Sequence, residues 1–65
     1  MSHSPHALKD WARQVQHGTG WSYSAAKSFV VQHANEACTL LMLRGEPARK
    51  KEIGDELLAI AMPPP

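Results

Sequence analysis

Cys38 is the one thiol in the chain, and His33 stands five residues before it. A nucleophilic cysteine needs a base within hydrogen-bond reach and a third group that orients the base. Five residues at about 100° each leave the two side chains about 140° apart around a helix, so they do not share a face. Cys38 follows the line of Ala34, Leu41 and Met42 and reads as a small buried apolar residue. Carboxylates pair at Asp55–Glu56 and at Glu52–Glu56, on what reads as a solvated face with no sign of a cleft. Gly18-Thr19-Gly20 lacks both the preceding strand and the fixed pattern of a phosphate loop. His3 and His6 could pinch a metal, yet a structural zinc needs about four ligands at close spacing. Cys38, His3, His6, His17 and His33 are too scattered for that. His17 suits a helix C-terminus, and His33 suits a core or interface position. A chain this short also has little room for an enclosed pocket of about 300 Å³. The expectation is no catalysis, no metal and no cofactor.

Positive charge is concentrated instead. Arg44, Arg49, Lys50 and Lys51 hold four of the seven Lys and Arg residues. A third helix opening near Pro47 would have three cations crowding its start, where the dipole favours anions. Such a start can meet a phosphate or an acidic partner. Its plainer role is a solvated face with weak pairs such as Lys51–Asp55, each worth a few tenths of a kcal/mol. A second nucleic-acid element is the run WSYSAAKSFV behind Gly18 and Gly20, which has the general form of a helix-turn-helix. Ser22, Ser24, Lys27 and Ser28 would then face phosphates or bases. Against it, a turn from Gly18 to Ser22 exceeds the usual three or four residues, and Lys27 is the only cation before Arg44.

Three amphipathic segments must position these groups. Ser4 and Pro5 suit the cap and first residue of a helix over about 5–17, with Leu8, Trp11, Ala12 and Val15 on one face and Gly18 just past its end. Ser22 or Ser24 can cap a second helix over about 23–44, on which Tyr23, Ala26, Val30, Ala34, Ala37 and Leu41 form one stripe. Beside it runs a mixed stripe of Phe29, His33, Glu36, Leu40 and Leu43. This helix would be about 33 Å long. Glu46 and Pro47 suit the start of a third helix over about 47–61, with Ile53, Leu57, Ile60 and Ala61 inward and Leu58 at the edge. Gly54 costs that helix about 1 kcal/mol, either for a close helix approach or for nothing. Residues 1–4 form a polar tail and residues 63–65 a proline tail.

Leu40, Leu41, Met42 and Leu43 point in four directions at about 100° steps, and a helix that is apolar all round is buried all round. Two short companions cannot cover it. Thr39–Leu43 as a strand is the alternative, but it would have no partner strand. A chain of 65 residues buries only about 60% of its unfolded surface. One cysteine excludes an internal disulfide, which leaves oligomerisation as the remedy. Net charge is +1, with no global signature for nucleic acid or membrane. No run approaches the roughly 18 apolar residues that span a bilayer. An unpaired thiol without an apolar leader points to the cytoplasm.

The sequence therefore predicts an all-α, small three-helix domain with a long central helix, assembled as a helical dimer. Trp21, Phe29, Leu40, Met42 and Leu43 are its expected interface with a second copy or an unidentified protein partner, although core packing is the readier use for Trp21. The predicted role is a non-catalytic adaptor, inhibitor or regulator. A DNA-associated regulator is the alternative.

Overall fold

A computed structural model describes residues 5–62 of the chain. Ser4 as a cap, His3 as a metal partner of His6, and the proline tail lie outside those residues. The described residues are helical with no strand: α1 is Pro5–Thr19, α2 is Tyr23–Leu43 and α3 is Lys50–Ala61. At 21 residues, α2 is longer than α1 at 15 and α3 at 12. Each helix packs against both of the others.

Residues three and four apart on each helix build the core. Trp11, Ala12 and Val15 enter from α1, Ala26, Val30, Ala34, Ala37 and Leu41 from α2, and Ile53 and Leu57 from α3. The predicted α2 stripe is buried except for Tyr23 at its head, which packs half-buried beside it. The small residues Ala26, Val30, Ala34 and Ala37 let the shorter helices approach α2 closely. Trp11 then supplies the bulk that small residues cannot. Its indole Nε1–H donates to the Lys50 carbonyl at 2.8 Å, so one side chain ties the middle of α1 to the first residue of α3.

Helix ends differ from the sequence expectation at two places. The first helix runs two residues beyond His17, and Gly18 lies inside it. A Cβ on Gly18 would collide with Leu58 Cδ1, so that glycine serves helix contact rather than termination. Gly20 performs the termination, with φ +81° and its N–H donating to the Gln16 carbonyl at 2.8 Å. Thr19 Oγ1 donates to the Val15 carbonyl and accepts from the Trp21 N–H. Ser22, rather than Ser24, caps α2, its Oγ accepting from the Ala25 N–H at 3.2 Å.

The third helix begins at Lys50, not at Pro47. The physical reason is the way α2 ends. Gly45 adopts φ +75°, its N–H donates to the Met42 carbonyl at 3.0 Å, and the Glu46 N–H donates to the Leu41 carbonyl at 2.9 Å. These paired bonds are a Schellman closure. They engage Gly45 and Glu46 with α2, and Arg49 in extended conformation becomes the residue before α3.

Candidate interaction surfaces

The late start of α3 rearranges the charge at its head. Glu52 now lies in the first turn, where a carboxylate suits the helix dipole. Its Oε1 is buried without a hydrogen-bond partner. Of the four clustered cations, two are already neutralised within the chain. Arg44 donates from Nε to Glu46 at 2.5 Å and from Nη1 and Nη2 to the two Glu56 oxygens at 3.2 and 2.5 Å. Lys50 Nζ meets Asp10 Oδ2 at 2.5 Å, bridging α3 to α1. Arg44 and Lys50 thus each meet a carboxylate within the chain while remaining solvent-exposed. Arg49 and Lys51 have no ion pair among the described residues.

These pairs set the acid response. The hydrogen bond from Arg44 holds the Glu56 carboxyl below its ordinary range, and the bond from Lys50 does the same for Asp10. A lowered folded pKa adds stability that is present above the unfolded carboxylate pKa, about 4.3 for Glu, and is lost as pH falls through the folded value. Urea midpoints are expected to be flat above about pH 5 and to decline below about pH 4. Glu56→Gln should shrink that decline. An identical acid slope in wild type and variant would show that the pair contributes nothing in solution, as many exposed pairs do.

The predicted interface residues divide between two flanks of α2. Phe29 and Leu40, eleven residues apart, share one flank within about 20°. Both are half-buried. Trp21 folds back on this flank, with its ring edge-on to Phe29 at 5.4 Å between centroids. Phe29 in turn lies 4.3 Å from the His33 ring, and His33 Nδ1 meets Glu36 Oε1 at 3.0 Å. Trp21 is 37% exposed, so it covers this ladder without being enclosed by it. Leu43, 79% exposed, projects near the end of the same side.

Met42 lies about 200° from Leu40 and belongs to the opposite flank. Its neighbours there are Val31, eleven residues back, and Cys38, four residues back. Val31 is 58% exposed, Met42 67% exposed and Cys38 half-buried. Asn35 lies between them, and Ser28 and Ser24 continue the line toward the helix start. The intervals along Ser24, Ser28, Val31, Asn35, Cys38 and Met42 are four, three, four, three and four. That alternation keeps all six on one helix face, where Val31 and Met42 are the exposed large apolar members. The sequence marked Met42 but missed Val31. Its signal was the spacing from Val31 to Met42, hidden because Asn35 and two serines make the stripe look polar.

The helix-turn-helix candidates occupy the start of the same face. Ser24, Lys27, Ser28, Val31 and Gln32 line a shallow depression. Because α1 runs to Thr19, the turn is only Gly20, Trp21 and Ser22, which removes the objection of an overlong turn. A second depression lies between α1 and the head of α2, lined by Lys9, Arg13, Gln16, His17 and Tyr23. Lys9, Arg13 and His17 are all exposed.

No group of three or more metal-ligating side chains stands together among the described residues. No helix among them is long and apolar enough to cross a membrane. No family model, curated protein or solved structure matches this chain.

Proposed function

We propose that the protein is a small non-catalytic interaction module of the cytoplasm that pairs with a second copy of itself through α2, and that acts as an adaptor, inhibitor or regulator by binding another protein. The observation that supports the pairing is the seam from Ser24 to Met42 on the longest helix. Val31 and Met42 are large, apolar and open to water, and they stand about 16 Å apart along the axis at 1.5 Å per residue. Buried against a mate, each contributes about 1.5–3 kcal/mol. An antiparallel two-fold arrangement centred near residue 33 sets Met42 against Ser24, Cys38 against Ser28 and Val31 against Asn35. The largest side chain, Met42, then meets a small one, Ser24, at each end, and the helix dipoles oppose. A parallel arrangement sets Met42 on Met42 and serine on serine, which leaves gaps at one end.

Sedimentation equilibrium on the full chain tests this. Wild type should approach twice the chain mass. Val31→Glu with Met42→Glu should weaken pairing roughly a hundredfold, which is about 3 kcal/mol. Leu43→Glu, on another side of α2, should leave the mass unchanged. A wild-type mass of one chain at all concentrations, or a dimer insensitive to the double variant, rejects the seam. Under mild oxidation the antiparallel dimer should not cross-link through Cys38, whereas a parallel one would bring the two thiols together.

One observation favours a second reading, a DNA-associated regulator: the three-residue turn between α1 and α2. In that reading Ser24, Lys27 and Ser28 face the nucleic acid, with Ser22 retained as the α2 cap. The basic start of α3 supports it less, since Arg44 and Lys50 are engaged within the chain. Ser24 and Ser28 belong to both readings. A second copy and a DNA groove therefore cannot occupy α2 at once.

A further inference from the structure

We propose that the groove bordered by Lys9, Arg13, Gln16, His17 and Tyr23 binds the sugar-phosphate backbone of a nucleic acid. It shares no residue with the α2 seam and holds whether or not α2 enters a groove.

The lining supplies hydrogen-bond donors and cations and contains no carboxylate. Lys9 and Arg13 have no ion pair among the described residues. The one acidic residue of α1, Asp10, is occupied by Lys50. Lys9 and Arg13 thus stand on one groove without an ion pair, though Arg13 still feels the Asp10 charge, while Arg44 and Lys50 meet carboxylates elsewhere.

Spacing selects the class of ligand. Lys9, Arg13 and His17 follow one another at four-residue intervals, about 6 Å along the axis at each step. They form a line rather than a nest. A line of donors one turn apart suits a polymer carrying regularly repeated charge better than a single small anion. Tyr23 at the far end is the first residue of α2, whose first turn contains no acidic residue. First-turn N–H groups there lack intrahelical acceptors and add a partial positive charge. The geometry of the unit agrees. In a helix-turn-helix the first helix crosses the phosphate backbone, and here α1 joins α2 through three residues.

The test is fluorescence anisotropy of a short labelled DNA duplex titrated with the full chain at increasing salt. Two or three neutralised phosphates predict a log–log slope of about −1.8 to −2.7, hence at least about twelvefold weaker binding at 200 mM salt than at 50 mM. Lys9→Gln with Arg13→Gln should abolish measurable binding. Both residues are exposed, and unchanged helicity by circular dichroism will confirm that the fold persists. Arg49→Gln with Lys51→Gln should leave the slope unchanged. Lys27→Gln isolates the α2 reading: its failure to weaken binding removes α2 contact and leaves the α1 site intact. Absence of binding at about 50 mM salt overturns the proposal. So does retention of binding in the Lys9/Arg13 double variant. Equal competition by polyglutamate would reassign the groove to acidic protein surfaces and overturn the phosphate assignment.

Discussion

Trp11→Ala is expected to unfold the domain. Truncating a buried tryptophan costs about 3–5 kcal/mol in lost transfer energy and residual cavity. At about 0.05–0.15 kcal/mol per residue, a chain of this size has roughly 3–10 kcal/mol in total. Trp11 is 3% exposed and joins α1 to the core faces of its neighbours. Four of the other core residues, Ala12, Ala26, Ala34 and Ala37, have no side-chain length with which to refill the space, which leaves that to Val15, Val30, Leu41, Ile53 and Leu57. The indole also donates to the Lys50 carbonyl, so its loss releases the head of α3. Trp11→Phe retains most of the volume and should cost about 1–2 kcal/mol, chiefly through that hydrogen bond. Far-UV circular dichroism during urea titration is the suitable measurement, at fixed protein concentration because pairing couples to stability. A cooperative Trp11→Ala transition near the wild-type midpoint would show that the bundle is held mainly elsewhere.

Most of this architecture follows from local patterns. The stripes of α1, α2 and α3 were legible because each buries a face with 3.6-residue period, and burial on a packed helix leaves that period in the sequence. Helix ends were less legible. Gly18 and Gly20 are both glycines near the end of α1, and sequence alone does not say which needs a left-handed backbone and which needs the absent Cβ. The structure assigns the first need to Gly20 and the second to Gly18. Pro47 misled for a related reason. Proline favours a first helical turn, but it is equally compatible with extended chain. The Schellman closure of α2 settled the choice through backbone hydrogen bonds that leave no residue-type signature beyond Gly45.

The surfaces were only partly legible because charge and apolar exposure are properties of pairs. Arg44, Arg49, Lys50 and Lys51 read as one basic knot along the chain. In space, Arg44 faces Glu46 and Glu56, and Lys50 faces Asp10 from another helix. Lys9 and Arg13 were passed over although their sequence neighbourhood is ordinary, since only folding shows that their local carboxylate is engaged elsewhere. The apolar surplus at Leu40–Leu43 was foreseen in amount but not in place. Leu41 fills the core, Leu40 is half-buried on the flank that carries Phe29, and Met42 is exposed on the flank that carries Val31. Two surfaces of different chemistry thereby flank α2, a mixed stripe exposing Val31 and Met42 on one side and a cationic groove at its head.

Gly54→Val should destabilise the fold by at least about 2 kcal/mol, while Gly54→Ala should be close to neutral. The two results separate the alternatives that the sequence left open for this glycine. Gly54 is buried where α3 crosses α1. A Cβ there would collide with Gln14 Oε1 and stand 3.1 Å from Trp11 Cδ1. The Gln14 amide is the far end of a flexible side chain and can swing aside, at the cost of its exposed hydrogen bond to Asp55. The indole has to yield only a few tenths of an ångström. Against these losses alanine adds about 1 kcal/mol of helix propensity, so the sum is small. Valine differs in kind. Its γ carbons enter the space of the Trp11 ring, which is fixed by its bond to the Lys50 carbonyl. Overpacking a tight contact costs about 1–3 kcal/mol, and displacing the indole adds loss of that bond. A glycine that is merely tolerated predicts the reverse order, with alanine clearly stabilising and valine harmless. Urea midpoints of the three proteins distinguish the cases: a clear loss in Gly54→Val beside an unchanged Gly54→Ala identifies this glycine as the close contact on which the α1–α3 crossing depends.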